Sequence, residues 1–235
     1  MMLLKVRGLS KSFDGLQAVS GVDFDLPQGE VRALIGPNGA GKTTLVGMIC
    51  GRIPPSSGTV TFDGEDITRL PAHKRILKGM AYTFQITSIF PRLPVRENVA
   101  LAARRRLQGR AVEAAAAEAL GRVGLEGQAD EDAGNLSYGH QRLLEIAMGL
   151  AQAPRLLILD EPTQGLSEGE IEAFKTLIRD LAGETTILLI EHNMKVVMET
   201  ADTVSVLNFG EMLVEGTPQQ IHENADVQAA YLGTG

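Results

Sequence analysis

The chain has 235 residues and 44% hydrophobic content, enough to bury a core as one large domain or as one domain with a subdomain. Its net charge of −7 provides no bulk attraction for a polyanion such as nucleic acid. A single cysteine, Cys50, excludes an internal disulfide and a cysteine-built metal site, and no apolar stretch is long enough to span a bilayer.

Residues 1–10 lack the charged start and long apolar run of a secretory signal. Val6, Phe13, Val19, Val22, Phe24 and Leu26, broken by Gly15, Gly21 and Pro27, predict short strands joined by turns. Val31-Arg32-Ala33-Leu34-Ile35 predicts a strand that runs straight into Gly36-Pro37-Asn38-Gly39-Ala40-Gly41-Lys42-Thr43. Thr44 and the helically spaced Leu45, Met48 and Ile49 follow, so this P-loop pattern has the strand-loop-helix context that its mechanism needs. Gly39 and Gly41 permit dihedrals that turn several backbone N–H groups toward one point. Those donors and the positive end of the following helix cradle the β- and γ-phosphates of a nucleoside triphosphate. Lys42 adds a mobile positive charge, and the Thr43 hydroxyl is placed to ligate Mg²⁺. Cys50 lies in the apolar stretch beyond and reads as a small buried packing residue.

Pro54-Pro55-Ser56-Ser57-Gly58 marks a turn, Thr59-Val60-Thr61-Phe62 a strand and Asp63-Gly64 another turn. Met80-Ala81-Tyr82-Thr83-Phe84 predicts a strand ending at Gln85. A neutral amide there can touch metal or water and swing away without leaving a charge unpaired; it is equally suited to end a strand. From about residue 96 to 123 the chain is rich in Ala, Arg and Glu, and residues 111–120 predict an almost uninterrupted helix. Arg104, Arg105, Arg106 and Arg110 form the one basic cluster and read as a solvated helix face. A helical subdomain inserted at about residues 87–149 follows. Leu136-Ser137-Tyr138-Gly139-His140-Gln141 opens a further helix, with Leu143, Leu144, Ala147 and Leu150 on one face. Its amides and the Ser137 hydroxyl make a second anion-accepting end, whose most economical use is to close on the nucleotide of a second copy; the same residues suit an ordinary helix cap.

Leu156-Leu157-Ile158-Leu159 and Thr186-Ile187-Leu188-Leu189-Ile190 are continuous apolar runs, the pattern of strands buried on both faces of a parallel sheet. The first ends in Asp160-Glu161, and the C-terminal ends of parallel strands face the ligand crevice. Asp160 is expected to hold Mg²⁺ through water, and Glu161 to polarise the attacking water as general base. The second leads into Glu191-His192-Asn193. His192 there can bond a γ-phosphate or serve as a satisfied structural residue. Met194, Val197, Met198 and Ala201 recur at helical spacing. The fold class is α/β.

In this order, the P-loop, Gln85, Leu136-Ser137-Tyr138-Gly139-His140-Gln141, Leu159-Asp160-Glu161 and His192 resemble the ATP-binding cassette (ABC) family over nearly the whole chain. The resemblance implies one domain over residues 1–235. A P-loop NTPase core with a mainly parallel sheet and an N-terminal antiparallel β-subdomain would occupy 1–86 and 150–235, with the helical subdomain between. It implies ATP sandwiched between two cassettes. Gly36, Asn38, Gly39, Ala40, Gly41, Lys42, Thr43 and Thr44 of one copy and Ser137, Gly139 and Gln141 of the other would hold the nucleotide, with Phe13 stacked on adenine, a residue that core packing would also accommodate. Glu161, His192 and Gln85 would be catalytic, and Thr43, Gln85 and Asp160 would bind Mg²⁺. Gln85 would begin the loop that meets a membrane partner, with residues 86–96, including Ile89, Phe90 and Leu93, as docking surface.

Two positions depart from the family pattern. Tyr138-Gly139-His140 replaces two adjacent glycines followed by Gln, and Gln164-Gly165-Leu166-Ser167 replaces Ser-Ala-Leu-Asp, so the usual aspartate is missing and Ser167 receives no intersubunit role. With Thr83-Phe84-Gln85, the segment from Ile190 to Met198 and Tyr231-Leu232-Gly233, the first departure resembles the ATPase subunits of branched-chain amino-acid importers, and equally those of urea and other amide importers. The partners implied are two transmembrane permease subunits, a second ABC ATPase subunit (identical or paralogous) and, indirectly, a solute-binding protein, without nucleic acid. The implied place is peripheral, on the cytoplasmic face of the inner or plasma membrane. ABC ATPases that act on DNA or ribosomes usually carry a long coiled-coil insertion or two cassettes, neither of which is present. A P-loop kinase or GTPase would leave Gln85, the signature and His192 without purpose.

Overall fold

The computed structural model describes residues 1–83 and 88–232. The expectations for Gln85, with those for Phe84, Ile86, Thr87 and Gly233, lie outside the described residues.

β1 (Met2–Phe13) and β2 (Leu16–Pro27) form a long antiparallel hairpin that turns at Asp14-Gly15. The sequence predicted shorter strands here. Of the glycines taken as breaks, Gly15 is the turn but Gly21 is a bulge: Gly21, like Gly8 on the facing strand, has φ near +60° where the pairing register slips, which bends and twists the ribbon without ending it. The chain then crosses to a second sheet as β3 (Val31–Ile35), passes through the P-loop into α1 (Lys42–Ile49), and returns as β4 (Ser57–Phe62) and β5 (Glu65–Asp66). The first sheet is entirely antiparallel, in the order β2-β1-β4-β5.

α2 (Ala72–Leu77) and β6 (Met80–Thr83) lead to the helical region. α3 (Val95–Ala103), α4 (Arg110–Arg122) and α5 (Tyr138–Leu150) pack on one another there. Arg104, Arg105 and Arg106 stand in the turn after α3 and Arg110 begins α4, so the basic cluster is an exposed corner and not one helix face. The rest of the chain is β7 (Leu156–Asp160), α6 (Glu168–Leu181), β8 (Thr186–Ile190), α7 (Met194–Thr200), β9 (Thr203–Asn208), β10 (Glu211–Gly216), α8 (Pro218–His222) and α9 (Ala225–Leu232). The spacing that predicted α7 misses its buried face in part: Val196 and Val197 are its fully buried pair, and Ala201 has already left the helix in an extended conformation.

The second sheet runs β10-β9-β3-β8-β7-β6, parallel throughout except for the edge strand β10. Its central strands are sealed on both faces, which their continuous apolar runs required. Leu157, Leu159, Ile187 and Leu189 share one hydrophobic core with residues of α3–α6, among them Val99, Leu144, Phe174 and Ile178. The alternate residues Leu156, Ile158, Leu188 and Ile190 meet α1 and the antiparallel sheet through Leu45, Ile49, Leu4 and Phe62. Because β3, β8 and β7 are neighbours, the P-loop, His192 and Asp160-Glu161 all leave adjacent C-terminal strand ends.

A buried arginine locks α1 in place. Arg75 of α2 donates to the carbonyls of Met48 and Ile49 in the last turn of α1 (2.8 and 2.7 Å), and to those of Leu70 and Thr68 (2.8 and 2.9 Å). It satisfies carbonyls that a helix end leaves open, and burial depresses its pKa.

Candidate active site

The P-loop is shaped by close backbone approaches. A Cβ at Gly36 would stand 2.0 Å from the Leu207 carbonyl oxygen, and one at Gly41, where φ is +100°, 2.5 Å from that of Ala18. The Gly210 N–H donates to the Ala40 carbonyl at 2.9 Å, so β9–β10 braces the loop. Lys42 is buried, and its ammonium donates to the carbonyls of Gly36 (2.6 Å) and Pro37 (3.0 Å). Desolvation lowers its pKa, opposed by the nearby charges of Glu161 and Asp160.

Asp160 ends β7, buried, with the Tyr82 hydroxyl of β6 donating to its Oδ2 at 2.6 Å. Burial raises the Asp160 carboxyl pKa, opposed by that hydrogen bond. The phenol of Tyr82 is pushed well up, by burial first and by Asp160 second, and the Arg52 guanidinium lies over its ring at 5.2 Å. Glu161 follows at φ +50°, in the left-handed region that a non-glycine residue enters only under constraint, and its N–H donates to the Ile190 carbonyl at 2.9 Å. This kink turns its carboxylate onto the Nε2 of His192.

A cleft of about 560 Å³ opens over these groups, lined by Asn38 through Thr44, Glu161, His192, Leu16, Gln17, Ala18 and Phe209. An adjoining one of about 480 Å³ is lined by Gly36, Pro37, Asn38, Glu161, Gln164, His192 and Tyr231. Phe13 is 44% exposed at the hairpin tip with the Lys11 ammonium 4.9 Å from its ring centre, so it is not a core residue. It does not line the cleft, but its pairing partner Leu16 does. Phe209, 84% exposed in the turn between β9 and β10, is an apolar wall that the sequence reading missed. A phenylalanine beside a turn glycine was its only signal. Tyr82 was read merely as strand filler, and Gln164 and Tyr231 were given no place in the site.

The P-loop cradle and cleft suit a nucleoside triphosphate. The hydroxyl of Thr43 and the carboxylate of Asp160 are hard oxygen donors that suit Mg²⁺. Among the described residues no cluster of three or more His, Cys, Asp or Glu is assembled for a metal. A cation held here would draw its other ligands from phosphate and water, which is how Mg²⁺ is commonly bound.

Ser137, Gly139 and Gln141 are not among the residues lining the cleft. Ser137 caps α5, its hydroxyl accepting from the His140 N–H at 3.2 Å, and Gln141 donates to the Leu136 carbonyl at 3.1 Å. The two departures from the family pattern meet in space: a Cβ at Gly165 would fall 2.9 Å from the Tyr138 ring. Ser167 is the N-cap of α6, in a capping box with Glu170. The Glu170 carboxylate in turn lies against Gly139.

Together these features define a P-loop ATPase built as a cassette, with a cleft over the P-loop whose lining does not include the start of α5. Residues 19–164 match the ABC transporter family, and the chain belongs to that family of ATP-binding, ATP-hydrolysing cassettes. It is 42% identical to the high-affinity branched-chain amino acid transport ATP-binding protein BraF of Pseudomonas aeruginosa, covering 98% of both chains. It is 41% identical to LivG of Escherichia coli, a protein of the same description, again over 98% of each. The solved ADP conformation of MJ1267, an ATP-binding cassette of an ABC transporter, superposes with a TM-score of 0.91 at 28% identity over 99% of both chains. The dimeric cassette MJ0796 superposes with a TM-score of 0.83 at 25% identity, covering 92% of this chain and 99% of that one. No helix among the described residues is long and apolar enough to cross a membrane.

Proposed function

We propose that the chain is the ATP-hydrolysing subunit of an ABC importer for branched-chain amino acids or related small polar solutes such as urea. The observation that carries the cargo class is the full-length identity of about two in five residues to BraF and LivG. It sits peripherally on the cytoplasmic face of the membrane, bound to two permease subunits and a second cassette, and receives solute indirectly from a binding protein. Within one cassette domain, the helical region of about residues 87–149 carries both the signature and the docking surface. Phe90, 53% exposed just before α3, supports that surface.

Each ATP is held by the P-loop of one cassette and by Ser137, Gly139 and Gln141 of the other. Lys42 exchanges its carbonyl partners for phosphate oxygens. Mg²⁺, held by Thr43, Asp160 and Gln85, would neutralise charge on the phosphates. Glu161 orients and deprotonates the attacking water, and His192, held against it, meets the γ-phosphate. Leu16 and Phe209 give the base an apolar wall, with Phe13 beside them at the hairpin tip. Ser137, Gly139 and Gln141 lie outside the lining of the P-loop cleft of their own chain, which supports a two-cassette site.

Purification of the tagged protein from its native membrane tests this reading. Two polytopic permeases and a second cassette are expected to co-purify. Recovery of nucleic acid or ribosomes without membrane subunits would overturn the transporter assignment.

A further inference from the structure

Glu191 stands between β8 and His192 and has no part in the site described so far, yet its side chain is built into the site's frame. The residue is 3% exposed. Its Oε1 accepts from the Thr163 N–H at 3.1 Å and from the Thr163 hydroxyl at 2.5 Å. Its Oε2 accepts from the N–H groups of His192 (2.9 Å) and Asn193 (3.1 Å). Thr163 is also buried and lies two residues beyond Glu161.

A carboxylate is withdrawn from water at high cost unless its oxygens are bonded, and here four donors converge on it. They come from two loops. The β7–β8 ladder ends at the pair Asp160 and Ile190, with one further bond from the Glu161 N–H to the Ile190 carbonyl. Beyond that point the chain kinks at Glu161, and the Glu191 side chain continues the connection that the backbone gives up. A glutamine would not serve, because its amide group would aim N–H donors at N–H donors on whichever side it faced.

We propose that Glu191 is a positioning residue for ATP hydrolysis: its carboxylate staples the loop behind Glu161 to the loop that bears His192, and so holds these two side chains against each other. The inference rests on the reading of Glu161 as general base. Without the staple both loops keep their places in the chain, but the Glu161–His192 contact loosens, and a displacement of about 1 Å at a reacting group can cost on the order of a hundredfold in rate.

The test is steady-state ATP hydrolysis by the full chain, with ATP affinity measured separately by a fluorescent ATP analogue. Glu191→Gln should lower kcat at least about tenfold while KM and analogue affinity stay within about twofold, since the P-loop is not part of the staple. Thr163→Val should lower kcat in the same direction, and Thr163→Ser should restore it by returning the hydroxyl. The double variant Glu191→Gln/Thr163→Val should be no slower than Glu191→Gln alone, because both act through one contact. A folded Glu191→Gln protein with unchanged kcat, or with equal losses of kcat and affinity, overturns the proposal. If that variant does not fold, the threonine pair decides: Val and Ser indistinguishable from each other also overturns it. Glu161→Gln assayed alongside separates the two layers. Near-normal turnover there removes the general-base reading, whereas a slow Glu161→Gln beside a fast Glu191→Gln removes only the staple.

Discussion

At the residue scale, the P-loop, His192 and Asp160-Glu161 follow three adjacent strand ends, and each group is set by what surrounds it. Glu161→Gln should keep ATP binding and slow hydrolysis by about a hundredfold or more, the usual worth of a general base; ATP turnover alongside a binding assay checks both halves. Asp160 has a carboxyl pKa raised by burial, so the folded protein binds that proton more tightly than the unfolded chain does. Its contribution to apo stability is therefore present at low pH and lost as pH rises through the folded pKa. The ionised form is the one that suits Mg²⁺, so the Mg²⁺-dependent gain in ATP affinity should fade on acidification at a higher pH than an ordinary aspartate would dictate. Asp160→Asn should abolish that gain at every pH; binding titrations with and without Mg²⁺ decide it. The placement of Lys42, Asp160 and Glu161 at neighbouring strand ends was legible in the sequence, because a glycine loop after one apolar run and an acid pair after another mark the ends of parallel strands. Tyr82, Glu191 and Phe209 were not, since the partners of each lie in other segments and a lone tyrosine, glutamate or phenylalanine carries no spacing signal.

At the scale of single elements, capping and burial explain parts that a motif comparison leaves unassigned. Ser167 occupies the place of the family's aspartate, and its role within this chain is local: it starts α6. Ser167→Ala should cost about 1 kcal/mol of stability, read by chemical denaturation. Arg75→Met should cost more, roughly 2–4 kcal/mol, because it leaves buried carbonyls of α1 without donors; the same denaturation series checks it. Strands β7 and β8 were readable from short continuous apolar runs, the pattern of a strand covered on both faces, too short for a buried helix. The β1–β2 hairpin was harder, because a glycine with positive φ marks a bulge and a turn with the same letter. The buried face of α7 was legible only in part, since a short helix offers too few turns to fix its phase.

On the scale of the whole molecule, one sheet organises everything: the antiparallel sheet and α1 share a core with one face, and on the other α3–α6 share a core with β7 and β8 while α7–α9 share one with β3 and β9. The start of α5 does not line the P-loop cleft of its own chain, and the proposed two-cassette site gives it a nucleotide to close on. Ser137→Arg should accordingly leave ATP affinity of the single chain nearly intact and abolish cooperative hydrolysis. A large loss of affinity in the single chain would reduce the motif to the cap it makes in α5. The most direct measurement is the mass in solution of the Glu161→Gln protein with Mg²⁺ and nucleotide, by light scattering, alone and with the second cassette expected to co-purify with it. With ATP the mass should double relative to the single chain, and with ADP it should not. ATP bound tightly while the mass stays that of one cassette in both mixtures would contradict a nucleotide-sandwiching dimer.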